Sequence, residues 1–263
     1  MSDRSERQSA RSKAILREVQ KSGSVAINDL CEQHDASIAT IRRDLQQLEN
    51  QGLLRRTHGG AVPIEPLFYE PFRKDASFVD LVGRHAEEKR RIGQAAAELV
   101  EQGNTIALTA GTTTTEVVRC LHYQWRIKVV TNTVNVAMEL SKRKDIEVFV
   151  TGGHLHGDWF SLVGPTAIDT LRQVFVDIVF IGANGIDPLA GLTCYSSDEA
   201  AVNRAMVSQA KRRIAVVDRS KFGIVAGWQI CPVEVCDLII TDSGATSETI
   251  HPYAKRGVEV HRV

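Results

Sequence analysis

Residues 36–62, ASIATIRRDLQQLENQGLLRRTHGGAV, read as an amphipathic helix, a glycine stop and a short basic ribbon. Ser37 suits the N-cap position, where a hydroxyl accepts a bond from an otherwise unpaired amide of the first turn. Ile41, Leu45 and Leu48 follow at helical spacing and so share one face. Gly52 stops the helix where a left-handed residue is usually needed. The other side carries Ala39, Thr40, Arg42, Arg43, Gln46 and Gln47, with Asp44 off to one flank. Arg and Gln are the side chains that read guanine and adenine edges in a major groove, although the solvated face of an ordinary surface helix has a similar composition. The string Leu53–Ala61, with Arg55, Arg56 and His58, predicts a wing, a basic hairpin or strand lying beside a phosphate backbone.

Upstream, residues 7–22 predict a first helix with Ala14, Ile15, Leu16 and Val19 as its apolar stripe and Gly23 as its stop. Val25 and Ile27 suit a short extended piece. A brief second helix is expected from about Asn28, with Leu30 and Cys31 inward, and a turn at Asp35-Ala36 leads into the helix above. Three helices and a basic ribbon make a winged helix-turn-helix over residues 1–62. In that arrangement Arg42, Arg43 and Gln47 meet the groove and Ser37 and Thr40 the DNA backbone, while Arg55, Arg56 and His58 meet the phosphates beside the wing.

The 263 residues suffice for one large domain or two smaller ones, and 43% hydrophobic with 24% charged residues is the balance of an ordinary globular chain. Net charge is zero, and residues 1–62 hold ten Lys/Arg against eight Asp/Glu. Any nucleic-acid footprint must therefore come from local clustering, not from bulk charge. No apolar run is long enough for a membrane span, and MSDRSERQSARSK lacks the apolar core of a signal peptide. The five scattered cysteines (Cys31, Cys120, Cys194, Cys231 and Cys236) form no CxxC pair, and the histidines form no metal-like triad. Reduced thiols in a cytoplasm, without a metal or cofactor, are the expectation.

Pro63, Pro66 and Pro71 mark a linker over residues 63–79, whose Leu67, Phe68, Tyr69, Phe72 and Phe78 are expected to pack on something. From about residue 84, helices and strands alternate. Helices are expected over 85–102, 114–122, 133–141, 165–173, 198–211 and 246–256, and strands over 105–109, 127–131, 146–151, 176–181, 214–218, 237–241 and 258–261. That alternation predicts a parallel α/β sheet covered on both faces, filling residues 80–263. Ligands bind at the carboxyl ends of such strands. Five strands lead into small polar or Gly-rich loops: Ala110–Thr115, Thr131–Thr133, Thr151–Gly153, Gly182–Gly185 and Asp218–Lys221. They are expected to form one rim. Gly111, Thr112, Thr113 and Thr114 run into a helix start, where exposed amides and the helix dipole make a phosphate cradle. Lys221 adds a point charge. Asn132, Gly152, Gly153, Asn184 and Glu199 complete the expected effector-binding set, and His154, His156 and Trp159 are candidates to cover the ligand. Neither a Walker loop nor a GxGxxG fingerprint is present.

The string TIRRDLQQLENQGLLRRTHGGAV resembles the helix-turn-helix signature of the DeoR family of bacterial sugar-metabolism repressors. The match includes the paired arginines, the following Asp, the Gly-Leu-Leu and the His-Gly-Gly-Ala. EKRRIGQAAAELVEQGNTIAL, AGTTTTEV, VVTNTVNVA, VFVTGG, IGANGID, GLTCYSSDEAAVNRAM and SKFG resemble that family's effector domain, so the resemblance spans roughly residues 8–242. It implies a parallel-sheet α/β effector domain resembling ribose-5-phosphate isomerase, which binds phosphorylated sugars and alters operator affinity. Three departures stand out. Thr109-Ala110 occupy a place where an acid is common, and Asn203 one where Lys is common. Ile181, Asn184 and Gly185 replace carboxylates of the isomerase relatives, so proton-transfer catalysis is not expected.

The resulting expectation is a cytoplasmic, sequence-specific DNA-binding transcriptional repressor of a carbohydrate-catabolism operon, relieved by a phosphorylated sugar. It has no catalytic residues, and it meets double-stranded operator DNA as a homo-oligomer, dimer or tetramer. One alternative is a sugar-phosphate isomerase-like enzyme with an accessory N-terminal domain, which predicts turnover without DNA. Another is a winged helix that binds protein, against which the arginine pair speaks.

Overall fold

The structure, a computed structural model, describes residues 11–12, 14–19, 22–50, 54–57, 59–63, 84–123 and 125–263. The chain falls into two compact units, Met1–Phe72 and Arg73–Val263.

In the first unit a helical segment over residues 14–19 (α1) is followed by β1 (Val25–Ala26), α2 (Ile27–His34), α3 (Ile38–Asn50), β2 (Leu54–Arg56) and β3 (Gly60–Pro63). Ile41, Leu45 and Leu48 of α3 are buried against Ile15, Val19, Leu30, Leu54 and Ala61, so the apolar stripe builds this unit's core. Asp35 takes the left-handed conformation at the end of α2, which turns the chain sharply into α3. Ser37 Oγ accepts from the Thr40 amide at 3.3 Å and pairs with Thr40 Oγ1 at 2.9 Å. Ser37→Ala is expected to destabilise this unit by about 1 kcal/mol, read as a lower urea midpoint for its transition with the other unit's transition unmoved. The wing is an antiparallel β2–β3 hairpin, and β1 joins it on the β3 side.

Asp44 lies off the exposed face, as expected, and is buried, because Arg11 Nε meets its Oδ2 at 2.5 Å and supplies the countercharge. One expectation needs correction. Pro63 does not open the linker but closes β3, where it pairs with Leu54 at the hairpin's end. Gly52, His58 and residues 64–79 lie outside the described residues.

The second unit is built on seven parallel strands. They are β4 (Thr105–Leu108), β5 (Ile127–Thr131), β6 (Ile146–Val150), β9 (Val176–Ile181), β12 (Ala210–Val216), β14 (Leu238–Thr241) and β15 (Glu259–Arg262), in the order β15-β14-β12-β9-β4-β5-β6. Alternate residues feed two cores. Ile106, Leu108, Ile178, Phe180, Ile214 and Ile240 pack on one face with α4 (Ala86–Ala97), α5 (Thr112–Cys120) and α6 (Val134–Leu140). Ala107, Val179, Ile181, Ala215 and Ile239 pack on the other with α7 (Pro165–Leu171), α8 (Ser197–Ser208) and Tyr253 of α9 (Ser247–Ala254). Burial on both faces explains why these strands are near-continuous runs of Ile, Val, Ala and Leu.

The helix expected over 85–102 ends at Ala97, since the Leu99 and Val100 amides bond three residues back and tighten the chain into a turn. The helix expected over 198–211 ends at Ser208, because β12 pairs with β9 from Ala210 onward. Two short sheets are additional. β7 (His154–His156) and β8 (Ser161–Val163) form a hairpin, and β10 (Gly185–Asp187), β11 (Gly191–Cys194) and β13 (Trp228–Cys231) form an antiparallel sheet. Among the described residues no helix is long and apolar enough to cross a membrane.

The sheet order locates the site. From β4 the chain moves outward through β5 to β6, then returns to β9 on the other side of β4 and moves outward again through β12 and β14. Successive connections therefore diverge at β4 and β9, and a crevice opens beyond their carboxyl ends.

Candidate functional site

On the first unit, Arg42, Arg43, Gln46 and Gln47 are exposed along one face of α3. Arg42 and Arg43 have no hydrogen-bond or ion-pair partner among the described residues. Ser37 is exposed and Thr40 half-buried, both engaged in the cap of the helix. Arg56 is tied to α3. Its amide donates to Glu49 Oε1 at 2.8 Å, and its guanidinium donates to Gln46 Oε1. The wing is thus latched to the exposed helix face, a contact the sequence pattern did not reveal. Arg55 lies in β2, with its side chain outside the described residues, as is the whole of His58.

On the second unit the crevice at β4 and β9 is an open cleft lined by Gly111, Thr112, Thr113, Trp159, Asn184 and Lys221, with Glu199, Asn203 and Cys194 among the rest. Loops after three strands, β4, β9 and β12, reach it. α5 begins here without a side-chain cap, and its first internal bond is Thr115 N to Gly111 O at 3.1 Å. The amides of the first turn therefore have no helical acceptor and present donors at the positive end of the dipole. Lys221 has no side-chain partner among the described residues. Its loop is held by Arg219, whose Nη1 donates to Asp242 Oδ1 at 2.8 Å and Glu88 Oε1 at 3.0 Å. Burial alone would raise the Asp242 carboxyl, but Arg219 and the amides of Arg219 and Gly244 outweigh it and hold it below the usual carboxylate range.

Glu199 is buried at the start of α8, where Ser196 caps the helix by accepting from the Glu199 amide. Its Oε1 accepts from Ser161 Oγ at 2.7 Å and faces His156 Nδ1 at 3.3 Å. His156 thus braces the carboxylate, His154 is exposed on β7, and Trp159 lines the cleft. Burial and the Glu199 carboxylate push the Cys194 thiol up to about 11, so it stays protonated at neutral pH and is a poor nucleophile.

Four expected effector residues are not brought into the cleft. Thr114 is fully buried, and its hydroxyl donates to the carbonyls of Thr109 and Gly111. Asn132 follows β5 and anchors the β7–β8 hairpin, its Nδ2 donating to Leu162 O at 3.2 Å. Gly152 and Gly153 follow β6, the sheet's edge strand. At roughly 5 Å per strand that places them about 10 Å to the side of β4. Gly153 serves the backbone instead: φ is +115°, and a Cβ would lie 2.6 Å from Val163 O. Ser161, Asn203 and Cys194 were absent from the expected set. So was Lys89, a buried lysine on α4 whose pKa burial lowers, with Asp218 opposing the shift and Lys221 reinforcing it. Asn203 carried a signal as the departure noted above, and Lys89 carried one as a charge on the apolar face of α4.

Residues 11–66 match the family described as the DeoR-like helix-turn-helix domain, and residues 84–243 match the DeoR C terminal sensor domain. The chain is 35% identical over 250 residues to the HTH-type transcriptional regulator GlpR of Haloferax volcanii, covering 95% of this chain and 96% of that one. It is 31% identical over 237 residues to the glycerol-3-phosphate regulon repressor of Escherichia coli K12, covering 90% and 92%. Among solved structures it is similar to ribose 5-phosphate isomerase A of Methanocaldococcus jannaschii, at 19% identity over 52% of this chain and 54% of that one, with a TM-score of 0.38. With both units matched and similarity to regulators along nearly the whole length, the chain belongs to the DeoR family.

Proposed function

We propose that this protein is a cytoplasmic, sequence-specific DNA-binding repressor of a carbohydrate-catabolism operon, released when a phosphorylated sugar occupies the cleft of its second unit. The observation that carries the DNA-binding half is the exposed face of α3, where Arg42 and Arg43 have no hydrogen-bond or ion-pair partner among the described residues and stand next to Gln47 and a latched wing. Buried or paired arginines would serve the fold, whereas unpaired ones on a helix-turn-helix serve a ligand rich in phosphates and guanines. Ser37 and Thr40 at the helix start and Arg55, Arg56 and His58 of the wing segment are assigned to the DNA backbone.

The effector half is supported by the uncapped start of α5 and by Lys221, which together suit a phosphate. The name of one relative, the glycerol-3-phosphate regulon repressor, points to the same class of ligand. The cleft is assigned to binding without turnover. Glu199 is the sole carboxylate among its lining residues, its Oε1 is already engaged, and Cys194 is held protonated. Operators read by such helices are two-fold symmetric, so the active form is assigned as a homo-oligomer, dimer or tetramer.

The test is Arg43→Ala against an operator selected from random duplexes by the wild-type chain. Loss of one bidentate base contact costs about 1–3 kcal/mol, so operator affinity should fall roughly 10–100-fold while weak, salt-sensitive binding to any duplex persists. Unchanged operator affinity at matched salt would refute the assignment of the α3 face.

A further inference from the structure

Two side chains of the cleft have hydrogen-bonding capacity that the protein leaves unused. Asn203 is 5% exposed, and its amide oxygen is buried without a hydrogen-bond partner among the described residues. Such a group is costly to bury unpaired, and a ligand that completes it recovers that cost on binding. Glu199 stands four residues earlier on α8, so the two share one helix face. Its Oε1 is engaged by Ser161 and His156, while Oε2 has no partner among the described residues. Both groups line the same cleft as Gly111, Thr112, Thr113 and Lys221.

The cleft therefore has two places of opposite character. At the start of α5, amides and an ammonium attract an anion. Along α8, a carboxylate oxygen and an amide oxygen both ask for donors. A hydroxyl or an amine satisfies them. A second anionic group would place like charges together in a partly buried site and leave both oxygens unpaired.

We propose that Asn203 and Glu199 are the specificity determinant of the cleft, admitting a ligand with one anionic group and hydrogen-bond donors, hydroxyl or amine, on the α8 side, and rejecting one with a second anion there. This rests on the phosphorylated-sugar reading above and narrows it to ligands with a single anionic group.

Calorimetry on the full chain tests it with inorganic phosphate and with matched pairs: glucose 6-phosphate against 6-phosphogluconate, and glycerol 3-phosphate against 3-phosphoglycerate. Glucosamine 6-phosphate separates amine from hydroxyl. In each pair that binds, the acid should be weaker by about tenfold or more. Asn203→Lys should reverse the ranking, because its ammonium offsets Glu199 and attracts the carboxylate. Asn203→Leu should weaken the member without the carboxylate roughly tenfold while leaving inorganic phosphate unaffected. Binding of inorganic phosphate by each variant reports an intact cleft, and the wild-type ranking stands independently of whether the variants fold. An acid that binds the wild type as tightly as its partner without the carboxylate overturns the proposal, as does an unchanged ranking in a phosphate-binding Asn203→Lys. If no phosphate compound binds the wild type, the phosphorylated-sugar reading falls with it. If phosphates bind without discrimination, this inference alone falls.

Discussion

Gly60→Ala is expected to abolish operator binding while leaving ligand binding by the second unit intact. A Cβ at residue 60 would lie 1.8 Å from Val25 O and 2.9 Å from its carbonyl carbon, with Ala26 Cα at 3.1 Å. All three are backbone atoms, so no side-chain rotation relieves the clash, and β3 must move away from β1. That movement breaks the pairing of Val25 with Ala61 and of Ala26 with Gly60, and it disturbs the bond from Ile27 N to Gly59 O that starts α2. Ala61 is buried in the same core as Ile41 and Leu45, so the strain enters the packing that orients α3. Overpacking of this kind costs about 1–3 kcal/mol or more, a large share of what so small a core supplies. Fluorescence anisotropy on the selected operator and calorimetry on inorganic phosphate, run on one preparation, separate the two units. Operator affinity equal to wild type would show that the β1–β3 seam yields without moving the helix.

What the sequence made legible depended on how local the cause was. The α3 stripe, its Ser37 cap and the strand over 176–181 follow from neighbours within a turn or a pleat, and each lies where its pattern places it. Strands β7, β8 and β10 are three residues long, too short to show a period, and owe their form to partners such as Gly185 with Thr193. The candidate cleft was half legible for a similar reason. Loop composition marked the carboxyl ends of the strands, but the lateral order of strands is a tertiary fact. The order β9-β4-β5-β6 decides that Thr112 and Asn184 meet while Gly152 lies aside. The buried pairing of Asp44 was not legible because its partner Arg11 lies 33 positions away. Asn203 stood out in sequence only as a departure from a common Lys; its burial beside Glu199 is a tertiary fact.

Lys221→Met is expected to produce a repressor that holds its operator normally but needs roughly 10–100-fold more phosphorylated ligand to let go. The Lys221 ammonium lines the cleft, has no partner among the described residues, and is carried on a loop fixed independently of it. Asp218 Oδ1 accepts from the Ser220 amide at 3.0 Å, and Arg219 is clamped by Asp242 and Glu88. Removing the charge should therefore leave the loop in place and delete one charge-assisted contact, worth about 1.5–3 kcal/mol. Methionine keeps the length and the apolar stem, so packing changes little. Release depends on the difference in ligand affinity between the DNA-binding and released forms, not on affinity itself. If Lys221 grips the phosphate equally in both forms, the dose midpoint moves and the extent of release at saturating ligand does not. A reduced extent would mean that the contact also differs between the forms. Lys221→Arg, which keeps the charge, should recover much of the response. An unshifted midpoint for Lys221→Met, measured by anisotropy with any sugar phosphate that releases the wild type, would remove Lys221 from the ligand site.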